Sequence, residues 1–333
     1  MTSVFETQPP SFSKKTIDQI LSKNFKINGN ISFLESDRDQ NTLIETYDGE
    51  KYILKISNPA EDLRVLDMQN QVALHIKLKD PELLVPMQIG DLETVKCNEQ
   101  TYFVRLMKYI NGGLLKDHNM DFDAFENLGC FIGRLNCALE GFYHSAADRE
   151  FHWDVRSIHL IRKRENFLND LSDKRIINQF LDQFESSVLS TQHKLRKIII
   201  HNDCNDQNVL VNSTGETIGI IDFGDMVYSY QVVEPAVCMA YVGIESSNPF
   251  RSMGKVLKGY HSVIPLNSFE LNSIIYLIVM RLCISVTMAA WRKEIFPKNK
   301  YLSVSEKRAW EFLRKLAKED LNLISEKIIK YVV

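Results

Sequence analysis

The chain has 333 residues, of which 44% are hydrophobic and 25% are charged, a composition typical of a folded globular protein. Forty basic residues against 43 acidic ones leave a formal net charge of −3 at pH 7, so no bulk positive field exists to hold nucleic acid or an anionic membrane. At roughly 150 residues per domain, the length predicts two domains or lobes that fold without disulfides or a structural metal.

The cysteines, the N-terminus and the most apolar stretch indicate the cellular compartment. The six cysteines are widely spread and form no C-x-x-C pair, which favours free thiols in a reducing cytosol. The segment MTSVFETQPPSFSKK lacks the apolar core of a secretory signal peptide. Residues 274–291 are strongly apolar but contain Arg281, which predicts a buried core helix and not a membrane span. We expect a cytoplasmic protein without membrane or nucleic-acid partners.

The N-terminal third is predicted to form a small sheet with one long helix. Residues 1–15 are polar and contain proline, which predicts a loose arm, and a short amphipathic helix follows at residues 16–24. The apolar spacing predicts a longer helix over residues 63–78. Three short strands are predicted before that helix and two after it, at residues 31–34, 42–47, 51–56, 84–88 and 101–107.

The rest of the chain is predicted to be mostly helical after the breaker Asn111-Gly112-Gly113. The exception is residues 197–224, where two short apolar runs enclose a polar loop. A strand-rich N-terminal lobe, residues 1–108, is therefore predicted to join a larger C-terminal lobe, residues 109–333. A cleft between the two lobes is the expected ligand site.

The densest polar cluster is HNDCNDQN at residues 201–208, which would be costly to bury without a role. Its spacing suits phosphoryl transfer: Asp203 can accept the proton of an attacking hydroxyl, and Asn208 can hold Mg²⁺. Asp222, in the following D-F-G, can bridge the metal to nucleotide phosphates. Singly, each residue could be a turn cap or a solvated side chain, so the joint spacing carries the prediction. His201 is expected to be structural, because Asp203 already fills the role of base.

The motifs H-x-D-x-x-x-x-N at residues 201–208 and I-D-F-G-D at residues 221–225 resemble those of the aminoglycoside phosphotransferase and choline kinase superfamily. Other segments are similar to its hydroxylysine kinase branch and bacterial relatives: SDRDQN (36–41), YILKIS (52–57), QN (69–70), HWD (152–154) and RLCISV (281–286). The resemblance covers about residues 30–315. It implies a two-lobed, protein-kinase-like α+β fold, with a five-stranded antiparallel sheet and one helix in the N-terminal lobe and a mostly helical C-terminal lobe.

The resemblance also implies a role for each matching residue. Asp203 would be the catalytic base, Asn208 and Asp222 would hold Mg²⁺, and Lys55 would pair with the α- and β-phosphates of GTP or ATP. Residues 36–41 would replace a glycine-rich loop, and residues 107–110 would form the hinge that binds the base. The remaining nucleotide contacts implied are Ser36, Gln40, Asn41, Met107 and Tyr109. On the residues alone, Lys55 could be an ordinary edge lysine and residues 36–41 a polar turn.

Two residues depart from the family pattern. Gln69 stands where related kinases carry a glutamate that pairs with the strand lysine. Asp67 or Glu61 could replace that carboxylate, or the Gln69 amide oxygen could accept from Lys55 more weakly, because an amide lacks the charge that holds a lysine. Asn202 stands where the similar relatives have glycine.

The acceptor must offer a hydroxyl to Asp203, and an acceptor such as hydroxylysine also carries an ammonium and a carboxylate. Arg281 stands out because an unpaired charge in an apolar stretch is costly, so it should find an anionic partner or line the cleft. Trp153 and Tyr228 could stack on a cation, although each such residue is more often part of the core. The candidates for the ammonium are Asp206, Asp225, Glu234 and Asp154, and those for the carboxylate are Arg149, Arg281 and His152.

The predicted activity is that of a small-molecule kinase that phosphorylates the side-chain hydroxyl of an amino acid or amino alcohol, in the manner of a hydroxylysine kinase. The alternative acceptors are homoserine, choline or ethanolamine, and aminoglycosides. A nucleotide-binding pseudokinase is a further alternative, for which Gln69 is the support. A protein kinase is disfavoured, because the D-F-G segment runs directly into a hydrophobic stretch without room for an activation loop. The oligomeric state stays open.

Overall fold

The structure, a computed structural model, describes residues 3–299 and 305–332. The N-terminal part is built on a five-stranded antiparallel sheet with the spatial order β1-β2-β3-β5-β4. The sheet is flanked by helix α1 (Lys14–Ile20) and by the longer helix α2 (Leu63–Lys79). The five strands are β1 (Gly29–Leu34), β2 (Gln40–Thr46), β3 (Lys51–Ile56), β4 (Gln88–Cys97) and β5 (Gln100–Lys108).

Alternating residues of the central strands explain how this part folds. Ile44, Leu54 and Leu106 point to one face of the sheet and form a small core with Ile17 and Leu21 from the α1 region. Helix α2 begins after Asp62, whose carboxylate accepts a hydrogen bond from the N–H of Arg64. Four of the five predicted strands lie close to their observed positions.

The fourth strand was predicted too early, at residues 84–88, whereas β4 spans Gln88–Cys97. Its sequence QIGDLETVKC is half polar because β4 lies at the edge of the sheet, where burial imposes little alternation. Leu84 instead pairs with the C-terminal part: its N–H donates to the carbonyl of Ile218 at 3.1 Å, and the N–H of Ile220 donates to the carbonyl of Leu84 at 3.0 Å.

The prediction of a loose arm at residues 1–15 is wrong for the described residues 3–15. Phe5 and Phe12 are 2% and 8% exposed. The Gln40 side-chain oxygen accepts from the N–H of Phe12 at 2.6 Å, and Gln40 Nε2 donates to the carbonyl of Phe12 at 2.9 Å. Nε of Arg292 donates to the carbonyl of Phe5 at 3.3 Å. Two buried aromatic rings therefore fix an otherwise polar segment against both parts of the molecule.

The C-terminal part contains eight α-helices among its described residues, together with several short strands. Helices α3 and α7 pack so closely that a Cβ atom on Gly259 would lie 1.9 Å from the carbonyl oxygen of Glu126, so only glycine fits there. Asn267 and Glu270 form a capping box at the start of α8. The helices are α3 (Phe122–Leu139), α4 (Ile158–Arg164), α5 (Leu171–Ser187), α6 (Val233–Glu245), α7 (Pro249–Val263), α8 (Ser268–Ile295), α9 (Glu306–Leu316) and α10 (Leu321–Ile329).

Helix α8 contains the strongly apolar stretch of the sequence. It is long and apolar enough to cross a membrane, but 89% of its most apolar window is buried inside the protein, in agreement with the predicted core helix. All six cysteines lie in the described part and are free thiols. The cytoplasmic location stays a prediction.

Short strands of the C-terminal part bring the two polar motifs together. The strand β7 (Lys197–Ile200) precedes the first motif and pairs with β10 (Val227–Tyr230), which follows the second motif. A further small sheet has the order β6-β8-β9, formed by β6 (Gly113–Leu114), β8 (Val209–Val211) and β9 (Thr217–Ile220). Both motifs therefore emerge at the same place, beside the N-terminal sheet. Strand β5 ends at Lys108, and the division into lobes at that residue stays a prediction.

Candidate active site

A cleft of about 720 Å³ lies between the N-terminal sheet and the C-terminal helices. Its walls come from the β1–β2 loop, β3 and β5 on one side, and from both polar motifs and α8 on the other. Ten of the predicted site residues line it: Ser36, Asn41, Lys55, Met107, Tyr109, Asp203, Asn208, Asp222, Asp225 and Arg281. Gln40, Asp206 and Glu234 do not line this cleft.

The loop that carries Asp203 is held from behind by two buried side chains. The Glu234 carboxylate accepts from the N–H groups of His201 and Asn202, at 2.6 and 3.3 Å. The His201 ring bonds the carbonyl of Ile221 through Nε2 at 3.0 Å, and its Nδ1 accepts from the N–H of Asp203. Burial lowers the pKa of His201 to about 4, so the ring is neutral. His201 therefore has the expected structural role, and Glu234 serves the loop and not a substrate.

Asn202 occupies a left-handed backbone conformation, with φ at +66°. Glycine adopts this conformation without strain and asparagine tolerates it better than most residues, so asparagine fits at this position. Its side-chain amide donates to the carbonyls of Trp153 and Asp225, at 3.4 and 3.3 Å. The extra side chain thus ties the loop to its neighbours and does not enter the cleft.

The Asp203 carboxylate is fixed by three donors. Arg281 Nη2 lies 2.5 Å from Oδ1, Asn208 Nδ2 lies 2.7 Å from Oδ2, and Asn205 Nδ2 lies 3.0 Å from Oδ1. The side chain is 18% exposed, toward the cleft. Burial raises the pKa of Asp203 to about 7, and the positive charge of Arg281 opposes that rise. A general base works best when its pKa lies near the ambient pH, so Asp203 suits that role.

Arg281 is fully buried and has found the anionic partner that the sequence required. Besides Asp203, it donates to the carbonyl of Asn202 at 3.2 Å and to the Tyr241 hydroxyl at 3.3 Å. Its guanidinium lies 4.4 Å from the centre of the Trp153 ring, so that ring is already stacked on a cation of the protein. Arg281 therefore serves the carboxylate of Asp203, although it was predicted as a substrate contact.

Asn208 and Asp222 present oxygen atoms suited to a divalent cation. Asn208 uses its Nδ2 group for Asp203, which leaves its amide oxygen for another partner. Asp222 has φ at +65° and a side chain that is 40% exposed to the cleft. Mg²⁺ is commonly bound by one or two such side chains together with substrate phosphates and water. The two residues fit that ion.

Lys55 Nζ lies 3.6 Å from the Asp222 carboxylate. The positive charge of Lys55 is the main reason that the pKa of Asp222 falls to about 2. Gln69 does not accept from Lys55. Its amide oxygen accepts from Nη1 of Arg105 at 3.1 Å, while Asp67 pairs with His144 on the exposed side of α2. In the described part of the chain, the ion-pair partner of Lys55 is Asp222 and not a carboxylate of α2.

Three arginines of the cleft were missed in the sequence. Arg38 pairs with Asp225 at 2.6 Å, and Arg292 of α8 pairs with Asp37, so the β1–β2 loop is tied to the C-terminal part by two ion pairs. Arg105 is buried in the middle of β5. The sequence did contain an indication of its importance. An arginine inside the apolar strand TYFVRLMK should find an anionic partner or line the cleft, for the same reason as Arg281 inside α8.

The remaining predicted site residues bond other groups of the protein or lie outside the cleft. Gln40 accepts a hydrogen bond from the N–H of Phe12, and Asp154 pairs with Arg156. Arg149 donates to the backbone carbonyls of Gly224 and Met226, and His152 contacts Arg164. Tyr228 is 41% exposed, and Asp206 lines a second cavity of about 470 Å³ that shares Lys116, Asn205 and Tyr241 with the cleft.

The hinge segment faces the cleft through Met107 and Tyr109. The N–H of Lys108 donates to the carbonyl of Met87 at 2.8 Å, and the N–H of Tyr109 donates to the carbonyl of Lys51 at 3.3 Å. These two N–H groups are therefore already bonded within the protein. A nucleobase would have to use other backbone groups of the segment.

Comparison with known proteins agrees with this arrangement. Residues 30–269 match the model described as "Phosphotransferase enzyme family". Hydroxylysine kinase of Mus musculus is 32% identical over 88% of this chain and 85% of its own length, and that of Bos taurus is 29% identical over 92% and 90%. A microcompartment-associated aminopropanol kinase structure aligns with a TM-score of 0.75 at 15% identity, covering 96% of this chain and all of the other. Amicoumacin kinase aligns with a TM-score of 0.70 at 15% identity, covering 93% and 95%.

Proposed function

The chain belongs to the phosphotransferase enzyme family and is a small-molecule kinase that acts on an alcohol group, and on this basis we propose a more specific reaction. It transfers the γ-phosphoryl group of GTP or ATP to the side-chain hydroxyl of hydroxylysine or a closely similar amino acid or amino alcohol. The observation that carries the proposal is the Asp203 carboxylate, held in the cleft by Arg281 and Asn208 beside the Lys55–Asp222 pair. The similarity to hydroxylysine kinases over most of the chain supports the choice of acceptor.

Asp203 is the base of the proposed reaction. The acceptor oxygen attacks the γ-phosphorus, the bond to the β-phosphate oxygen breaks, and the nucleoside diphosphate leaves. The proton of the acceptor hydroxyl passes to Asp203. Because its pKa is about 7, a large fraction of Asp203 is ionised at neutral pH and can accept that proton. Arg281 and Asn208 hold the two carboxylate oxygens, so the base cannot rotate away from the cleft.

The phosphate groups lie, in this proposal, between Lys55 and the β1–β2 loop. Asn208 and Asp222 would hold Mg²⁺, which neutralises phosphate charge when it is bound. Ser36 and Asn41 line the cleft on the side of this loop. The Asp37 and Arg38 ion pairs keep the loop closed over this space.

Asp206 remains the candidate for the acceptor ammonium. Asp225 and Asp154 already pair with arginines, and Glu234 lies behind the loop. Asp206 forms no ion pair with a described residue and lines the cavity that adjoins the cleft. An acceptor whose hydroxyl reaches Asp203 would extend its charged end into that cavity.

The test is nucleoside diphosphate release with Mg·GTP or Mg·ATP and one acceptor at a time: 5-hydroxylysine, homoserine, ethanolamine, choline or kanamycin. We expect hydroxylysine-dependent turnover that falls about a thousandfold in Asp203→Asn, since a positioned base contributes on that order. Faster turnover with another acceptor would assign that alternative instead. Nucleotide binding without turnover on any acceptor would favour a pseudokinase.

A further inference from the structure

Arg105 is a buried cation in the cleft wall that forms no ion pair with a carboxylate among the described residues, although the charges of Asp39, Glu61 and Asp222 act on it from a longer distance. It is 1% exposed, and its Nη1 donates to the neutral amide oxygen of Gln69 at 3.1 Å. Its Nε is buried and has no hydrogen-bond partner. Arg281 and Arg292, two other buried arginines of the cleft, each pair with an aspartate. Burying a charge without such a partner is energetically unfavourable, and a bound anionic ligand would compensate it.

The position of Arg105 indicates which anion that is. On the sheet, Arg105 of β5 lies directly opposite Lys55 of β3. Side chains of directly opposed residues point to the same face with Cβ atoms roughly 5 Å apart, so the two cations face the cleft together. Both residues line the cleft beside Asp222. A pair of cations here would match the negative charge of a nucleotide polyphosphate.

We propose that Arg105 binds the phosphate groups of the nucleotide together with Lys55, and that Gln69 orients it for this purpose. The inference rests on the proposed kinase function and adds a phosphate-binding residue to it. It also explains Gln69, because a glutamate at that position would pair with Arg105 and satisfy its charge internally. The neutral amide holds the guanidinium in place and leaves its charge for the ligand.

The first test compares Arg105→Met with the wild-type protein by calorimetric titration with Mg·GTP, Mg·ATP, guanosine and adenosine. We expect affinity for the triphosphate to fall about tenfold or more, since a hydrogen bond to a charged group is worth about that much. Affinity for the nucleoside should not change, because it carries no phosphate. An equal loss for both ligands, or no loss for the triphosphate, would overturn the inference. Failure of the wild-type protein to bind either triphosphate would instead overturn the proposed function.

The second test uses Gln69→Glu, which keeps the side-chain size and adds a negative charge next to Arg105. We expect triphosphate affinity to fall severalfold while nucleoside affinity is unchanged. If Gln69 were only a weakened form of the glutamate that holds a lysine, the same variant would raise triphosphate affinity and turnover, and that result would overturn the inference. Gln71→Glu is the matched control, since Gln71 is exposed on the same helix and contacts Asp67.

Discussion

The two walls of the cleft each contain a buried arginine, but the two arginines are satisfied differently. In the C-terminal wall, Arg281 bonds the Asp203 carboxylate at 2.5 Å and stacks on Trp153. In the N-terminal wall, the Arg105 guanidinium donates to the neutral side-chain amide of Gln69. This is its only hydrogen bond to a described side chain. The first charge is neutralised inside the protein by the proposed base, whereas the second, in our proposal, is left for a ligand. Burial of a charge alone therefore does not reveal its role; the partner does.

The sharpest test of this comparison is the stability of matched variants. Arg281→Met leaves the Asp203 carboxylate without its cation, and we expect a loss of about 3 kcal/mol in the free energy of unfolding. Arg105→Met removes a charge that has no carboxylate partner, so the free energy of unfolding should be unchanged or higher. Denaturant unfolding above the pKa of Asp203 measures both variants.

Arg64→Met is the control for these measurements, because it breaks a solvent-exposed ion pair with Asp62. Exposed pairs of this kind contribute little to stability, so this variant should lie close to the wild-type protein. The comparison breaks down if Arg105→Met is destabilised as much as Arg281→Met. In that case Arg105 would be satisfied within the fold, as Arg281 is.

The pH dependence of turnover gives a second, smaller effect. Asp203 must be ionised to accept a proton, so kcat/KM should rise with pH through its pKa of about 7. Arg281→Met removes the cation that lowers this pKa, so the rising limb should move to higher pH by about one unit. A pH–rate profile with saturating nucleotide tests this shift, with Arg64→Met expected to follow the wild-type curve. An unmoved limb in Arg281→Met would show that Asp203 is not the titrating base.

The smallest effect is expected at Gln40, which was predicted to contact the nucleotide but bonds Phe12 instead. Gln40→Ala should lower the free energy of unfolding by about 1 kcal/mol through the loss of these two hydrogen bonds. Triphosphate affinity should stay at the wild-type value, as titration can verify. Asn41→Ala is the matched variant from the same strand, and its loss of affinity would contrast with Gln40→Ala, since Asn41 lines the cleft. A large loss of affinity in Gln40→Ala would restore the original prediction.

Much of the fold could be predicted from local patterns, because strands and helices with one buried face impose a regular apolar spacing. The segments that were predicted wrongly are those that lack this regular apolar spacing. Strand β4 was placed too early, since an edge strand with polar residues carries little of that spacing. The N-terminal arm was interpreted as loose because two buried aromatic rings in a polar segment form no periodic pattern.

The sequence by itself determined which residues could be proposed as catalytic, since these candidates lie at fixed spacings within two short motifs. Asp203 and Asn208 could be named because they share the loop between β7 and β8, and Asp222 because it follows β9, which pairs with β8. Only the tertiary structure decided which charges meet. Arg281 is 78 residues from Asp203, and Arg105 is 36 residues from Gln69. Contacts at such separations depend on how helices and sheet pack together, and no local pattern encodes them.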